Sequence, residues 1–138
     1  MDKKQLAMTL VAVAALGIIV WKFRASISTW WQVLGLILLL TGFVLWTIAR
    51  FQLGASFAVT AQARQLVTRG IYSKIRNPIY IFGSWLIAGA FLVIGRPLWL
   101  LIFVIIIPMQ IWRARKEAAV LEAKFGDQYR AYRASTWF

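Results

Sequence analysis

Apolar residues fall in long runs separated by short basic segments, a pattern that points to helices crossing lipid. The first run, Leu6–Trp21, follows Lys3 and Lys4 and sits at the low edge of the roughly 17–25 residues a helical span needs. No clear small-residue cleavage site precedes Lys22 and the chain re-enters an apolar run at once, so the expectation is an uncleaved helix instead of a signal peptide. The second run, Trp30–Ala49, opens on a Trp pair, is filled with Leu and Ile, and stops at Arg50. Ile79–Ile94 is the third run; Asn77 and Pro78 ahead of it read as an N-cap followed by proline at the first helical position. Gly95-Arg96-Pro97 interrupts, and Leu98–Trp112 follows as a fourth run, predicting an antiparallel hairpin with almost no loop. Ser84 and Ala88, small and four apart, are expected to let a neighbouring helix approach closely. Pro108 is expected to kink the fourth run unless Trp112 already marks its exit.

Beyond Trp112 the period persists but the composition changes. Glu117, Leu121, Phe125, Tyr129 and Tyr132 recur three or four apart, which places them along one face of a helix over Arg113–Arg133, with Gly126 a candidate interruption. On periodicity alone this is a basic amphipathic helix lying on lipid headgroups. The predicted fold class is therefore all-α: a polytopic membrane protein with spans at about 6–21, 30–49, 79–94 and 98–112 and a cytoplasmic C-terminal amphipathic helix at 113–133, forming a single transmembrane domain over 1–138.

Charge supplies an orientation. With four spans, thirteen of the 16 Lys and Arg residues fall on one side and only Lys22, Arg24 and Arg96 on the other. The positive-inside tendency then puts both termini and the central loop in the cytoplasm. The net charge of +12 would suit nucleic acid if it formed one stripe, but it is split among short segments between apolar runs, so no nucleic-acid partner is expected. Membrane lipids are the expected partners, through anionic headgroups. Composition agrees: 62% of residues are apolar, more than a water-soluble domain of this size needs. The chain has neither cysteine nor histidine, so disulfides, zinc sites of the usual ligand types, cysteine nucleophiles and a histidine base are excluded. There is no internal repeat, dinucleotide fingerprint or phosphate loop.

Two clusters on the same predicted side carry the candidate chemistry. The first runs Leu66-Val67-Thr68-Arg69-Gly70-Ile71-Tyr72 into Arg76-Asn77-Pro78-Ile79-Tyr80, and the second extends from Glu117 to Tyr132. In these segments the chain resembles the isoprenylcysteine carboxyl methyltransferase family, which includes related phospholipid methyltransferases. The family pattern L-V-x-x-G-x-Y, three residues, R-H-P-x-Y, a helical hairpin and E-E-x-x-L-x-x-x-F-G-x-x-Y-x-x-Y is met by Leu66, Val67, Gly70, Tyr72, Arg76, Pro78, Tyr80, Glu117, Leu121, Phe125, Gly126, Tyr129 and Tyr132 at the same spacing. The match covers roughly the C-terminal half. Asn77 stands where the family most often has histidine, Arg64 where another histidine is common, and Ala118 replaces the second glutamate. Phe82 occupies the place of a glycine that is displaced to Gly83, and the chain ends at Trp137-Phe138 where family members often continue through a proline-containing tail.

The resemblance implies methyl transfer from S-adenosyl-L-methionine, with the cofactor held among the membrane-proximal helix ends and the tail. It makes Arg76 and Glu117 the candidate catalytic residues, and Tyr72, Asn77, Pro78, Tyr80, Glu117, Leu121, Phe125, Tyr129 and Tyr132 the candidate cofactor-binding residues. Glu117 is suited to accept hydrogen bonds from ribose hydroxyls or an amino group, or else to pair with Arg113, Lys116 or Lys124. Arg76 is suited to grip an anionic acceptor or the cofactor carboxylate. Tyr80, Phe125, Tyr129 and Tyr132 offer ring faces to an adenine and a sulfonium, although interfacial aromatics share this pattern. No metal is called for, because a sulfonium methyl is a preformed electrophile that needs alignment and exclusion of water.

The acceptor is open. A carboxylate is already ionised at neutral pH whereas an ammonium must first lose a proton. Asp2, Glu117, Glu122 and Asp127 are the only acids, so a carboxylate acceptor is mildly favoured, with tyrosine or water as conceivable proton acceptors. A lipophilic or lipidated acceptor is favoured over a soluble one because it can enter laterally between helices. The alternatives are a phospholipid amine N-methyltransferase and a non-catalytic membrane subunit of the same fold.

Overall fold

The computed structural model describes residues 3–54 and 66–137; Asp2 and Arg64, both used in the sequence reading, lie outside them. Among the described residues the chain is mostly helical, with no strand. Five α-helices run in order: α1 (Lys3–Phe23), α2 (Trp30–Leu53), α3 (Pro78–Val93), α4 (Phe103–Phe125) and α5 (Asp127–Ser135). Short 3-10 turns occupy Gly70–Ser73 and Pro97–Ile102.

Among the described residues, three helical segments are long and apolar enough to cross a membrane: Lys3–Phe23, Trp30–Leu53 and Pro97–Phe125. The third predicted span is a shorter apolar helix of 16 residues, Pro78–Val93, about 24 Å at 1.5 Å per residue and so less than the roughly 30 Å hydrocarbon core. The tail also departs from expectation. The backbone does not break at Trp112: α4 continues from Phe103 to Phe125 with Pro108 inside it. It ends at Gly126, where φ is +53°, and α5 starts afresh at Asp127. The predicted helix over 113–133 is thus divided between two helices, interrupted at Gly126, the position marked for it in the sequence. Polar residues after Trp112 change what surrounds α4 without changing its backbone, since Arg, Lys, Glu, Ala and Leu all favour helix.

The chain divides into two compact units, residues 1–47 with 82–101 and residues 48–81 with 102–138. In the first, Gln32, Gly35, Leu39 and Gly42 of α2 are buried in a stripe of period three to four, as are Phe82, Gly89 and Val93 of α3. Glycines make a close approach between the two helices. A Cβ on Gly89 would meet the Leu39 backbone, its Cα at 2.8 Å, and one on Gly42 would lie 2.9 Å from the Leu86 nitrogen. Gln32, 8% exposed, ties the helix ends. Its Oε1 accepts from the Ser28 and Thr29 N–H groups and the Thr29 hydroxyl, and its Nε2 donates to the Val93 carbonyl at 3.3 Å. Gln32→Leu leaves the buried Val93 carbonyl without that partner, so it is expected to cost about 1–3 kcal/mol, read as a lower midpoint of thermal unfolding in detergent. By contrast α1 has no buried residue.

Candidate functional site

Every candidate residue named from the sequence belongs to the second unit, and the structure brings the two sequence clusters together there. The first cluster is a corner between α2 and α3. Arg69 is extended, and the 3-10 turn Gly70–Ser73 carries the chain towards Pro78, the first residue of α3, which is almost fully buried. The Asn77 carbonyl accepts the N–H of Ile81 and so begins the helical ladder, as expected for a residue that precedes proline at a helix start. The motif glycine has a physical reason. Gly70 holds φ at +60°, and a Cβ there would run into the side-chain amide of Gln52, so both backbone and space require glycine.

The second cluster meets this corner in two places. At α3, the Tyr80 hydroxyl donates to Glu117 Oε1 at 2.6 Å, and the same oxygen accepts from Arg113 Nε at 3.0 Å. The Arg113 guanidinium also lies 5.8 Å from the centre of the Tyr80 ring. Glu117 is therefore the ion-pair partner of Arg113, one of the two readings the sequence offered, and it also bonds Tyr80 of the first cluster. At the 3-10 turn, the Tyr132 hydroxyl donates to the Tyr72 carbonyl at 2.7 Å, and the Trp137 N–H donates to the Lys74 carbonyl at 2.8 Å. Tyr72, Tyr129 and Tyr132 are buried, and the rings of Tyr129 and Tyr132 are 6.2 Å apart.

Burial pushes the Tyr132 phenol up to about 12, helped by Tyr129 and opposed by the positive charge of Arg76. Burial likewise raises Tyr129, with the positive charges of Arg76 and then Arg133 opposing. Tyr72 is raised by burial first and then by Tyr132, Glu117 and Tyr80. Leu121 and Phe125 are partly buried on α4, and Lys124 stands 5.6 Å over the Phe125 ring. Because Gly126 separates them from α5, they do not share one continuous helix face with Tyr129 and Tyr132. Arg130, on α5, pairs with Glu122 at 2.9 Å and with Asp127.

The raised phenols carry a pH dependence. An unfolded Tyr ionises near pH 10, whereas folded Tyr132 holds its proton to about 12. The folded state therefore binds more protons between these values, and its stability is full below pH 10 and falls as pH rises towards 12. Tyr132→Phe is expected to flatten part of that alkaline decline in a thermal-unfolding series from pH 8 to 12.

Sequence reasoning missed two residues of this unit. Arg50 was read as a topological stop, yet it is 3% exposed; the buried stripe Gln32-Gly35-Leu39-Gly42, continued along α2, reaches Ala49 and Arg50 and would have flagged it. Gln52 accepts the N–H of Ile71 at 2.8 Å, and no motif or period marks it.

A model of the phospholipid methyltransferase family matches residues 30–128, most of the chain. This is an α-helical membrane protein of methyltransferase type, with three helices of spanning length. The chain belongs to the phospholipid methyltransferase family. The matched segment takes in the corner, Glu117, Leu121 and Phe125, and leaves α1, Tyr129 and Tyr132 outside. No curated protein matches the chain.

Proposed function

We propose that the protein transfers a methyl group from S-adenosyl-L-methionine to a lipophilic acceptor at the cytoplasmic face of the membrane, both termini lying in the cytoplasm. The observation that carries this reading is the Tyr80–Glu117 hydrogen bond of 2.6 Å, which joins the two family clusters within one compact unit. The donor set suits the cofactor: a carboxylate to accept from ribose hydroxyls or an ammonium, guanidinium groups for a carboxylate, and aromatic faces for adenine and sulfonium. When bound, the cofactor supplies an electrophilic methyl that passes to an acceptor lone pair as the C–S bond breaks to a neutral thioether. The chain's own residues hold and align. Glu117, fixed by Tyr80 and Arg113, presents its carboxylate to the nucleoside. Arg76 holds an anionic acceptor, and Tyr72, Tyr129 and Tyr132 exclude water from the reacting atoms.

A carboxylate acceptor suits these residues best. Removing a proton from an ammonium requires a base; a phenol is already protonated at neutral pH, and burial takes Tyr72 and Tyr132 further from ionising. One oxygen of Glu117 is already engaged by two donors. A phospholipid amine is the second reading, favoured by the family's description. Radiolabelled transfer into extracted lipids separates the two, since ester products are lost in base and methylated amines are not. Absence of any cofactor heat in calorimetry at millimolar concentration would instead mark a non-catalytic subunit, a reading that the departures at Asn77 and Ala118 leave in play. Arg76→Ala is expected to lower turnover by on the order of tenfold to a hundredfold, the worth of a charged hydrogen bond to an anionic group, with cofactor affinity little changed.

A further inference from the structure

We infer that Gln52 is a positioning residue of this site, setting the register of the Gly70–Asn77 corner and through it the placement of Arg76. The inference rests on the methyl-transfer reading. The 3-10 turn Gly70–Ser73 has only four residues, and so short a turn has little internal support. Its position is imposed from outside, by contacts at both ends. Towards the tail, the Tyr72 and Lys74 carbonyls accept from the Tyr132 hydroxyl and the Trp137 N–H. Towards α2, Gln52 Oε1 accepts the Ile71 N–H at 2.8 Å, while its amide lies against Gly70 where a Cβ would stand.

That contact is specific in two respects. It satisfies a backbone donor that the turn itself does not, since the bonds inside the corner run from Tyr72 to Arg69, Lys74 to Ile71 and Ile75 to Ile71. It also works only because residue 70 lacks a side chain, so Gln52 and Gly70 form a matched pair. Arg76 follows five residues after Ile71 with one loose helical turn between them, and its charge already reaches Tyr129 and Tyr132. Losing the Gln52 tether releases the α2 end of the corner while the tail end stays fastened, which turns Arg76 away from its acceptor without removing Glu117.

The test compares Gln52→Ala with Gln52→Glu, which keeps an acceptor oxygen, in full-length protein purified in detergent. Hydrogen exchange of the peptide spanning residues 66–77, calorimetric S-adenosyl-L-methionine binding, unfolding temperature, and methyl transfer resolved into kcat and KM are measured for each. For Gln52→Ala, exchange at Ile71 should rise and kcat should fall, each on the order of tenfold, the loss expected when a backbone donor gives up its acceptor. Cofactor affinity should stay within about twofold, and Gln52→Glu should restore both exchange and kcat. Wild-type kcat in Gln52→Ala, a loss matching only the fraction unfolded, or failure of Gln52→Glu to restore kcat would each overturn the inference. A wild type that neither binds the cofactor nor transfers methyl would remove the parent reading and this inference together, a result distinct from all three.

Discussion

Replacing Glu117 by alanine is expected to weaken S-adenosyl-L-methionine binding roughly a hundredfold, because a carboxylate that accepts two hydrogen bonds contributes about 1.5 kcal/mol or more through each. The substitution also strips the Tyr80 hydroxyl of its acceptor and Arg113 of its ion-pair partner. For that reason Glu117→Gln is the informative companion: it retains an acceptor oxygen for Tyr80 while removing the charge and turning the second oxygen position into a donor. If affinity follows the charge, Glu117→Gln should lie between wild type and alanine in calorimetry. If both variants bind as wild type does, the carboxylate is a structural tie between α3 and α4 and has no part in holding the nucleoside.

The second large effect falls on Gly70. Gly70→Val is expected to destabilise the protein by about 3 kcal/mol or more, since a branched side chain must adopt a left-handed backbone conformation and occupy the space of the Gln52 amide. The two contributions are separable. Pairing Gly70→Ala with Gln52→Ala removes the collision but not the backbone cost, which is about 1–2 kcal/mol for a residue with a Cβ. The double variant should therefore be less impaired than the sum of the singles, by more than the roughly 0.5 kcal/mol expected of independent sites. Simple additivity in chemical denaturation would mean that the two residues do not compete for the same volume.

Which parts of this structure were legible in the sequence follows from the range over which each determinant acts. The starts of α2 and α3 were readable because Trp30-Trp31 and Asn77-Pro78 act within a turn of their own position. The corner and Glu117 were legible for another reason: a spaced pattern of Gly, Tyr, Arg and Pro matched a family. The unbroken run of α4 through Trp112 was not, because the shift there from apolar to charged residues resembles a helix end while most residues that follow favour helix; its stop at Gly126 had been marked by the glycine. Ser84 and Ala88 were expected to admit a close neighbour, and the approach made by Gly89 was not foreseen. All three are small, and only the partner helix decides which of them faces Leu39. Gln52 was illegible in principle from local pattern, since its partner Ile71 lies 19 residues away. Arg50 shows the reverse case, a residue whose burial followed from periodicity but whose charge drew the reading towards membrane topology.

The first helix invites a different kind of question. With none of α1 buried and nothing within 4 Å of where a Gly17 side chain would begin, its residues have few protein neighbours whose shape they must fit. Exchanging Leu, Ile, Val and Ala freely along Leu6–Val20 should leave the remainder of the molecule indifferent, while one aspartate at the middle of the helix would be penalised by about 3 kcal/mol for entering hydrocarbon. For this segment the surrounding lipid, more than any fellow side chain, judges the sequence, and it judges oiliness instead of form.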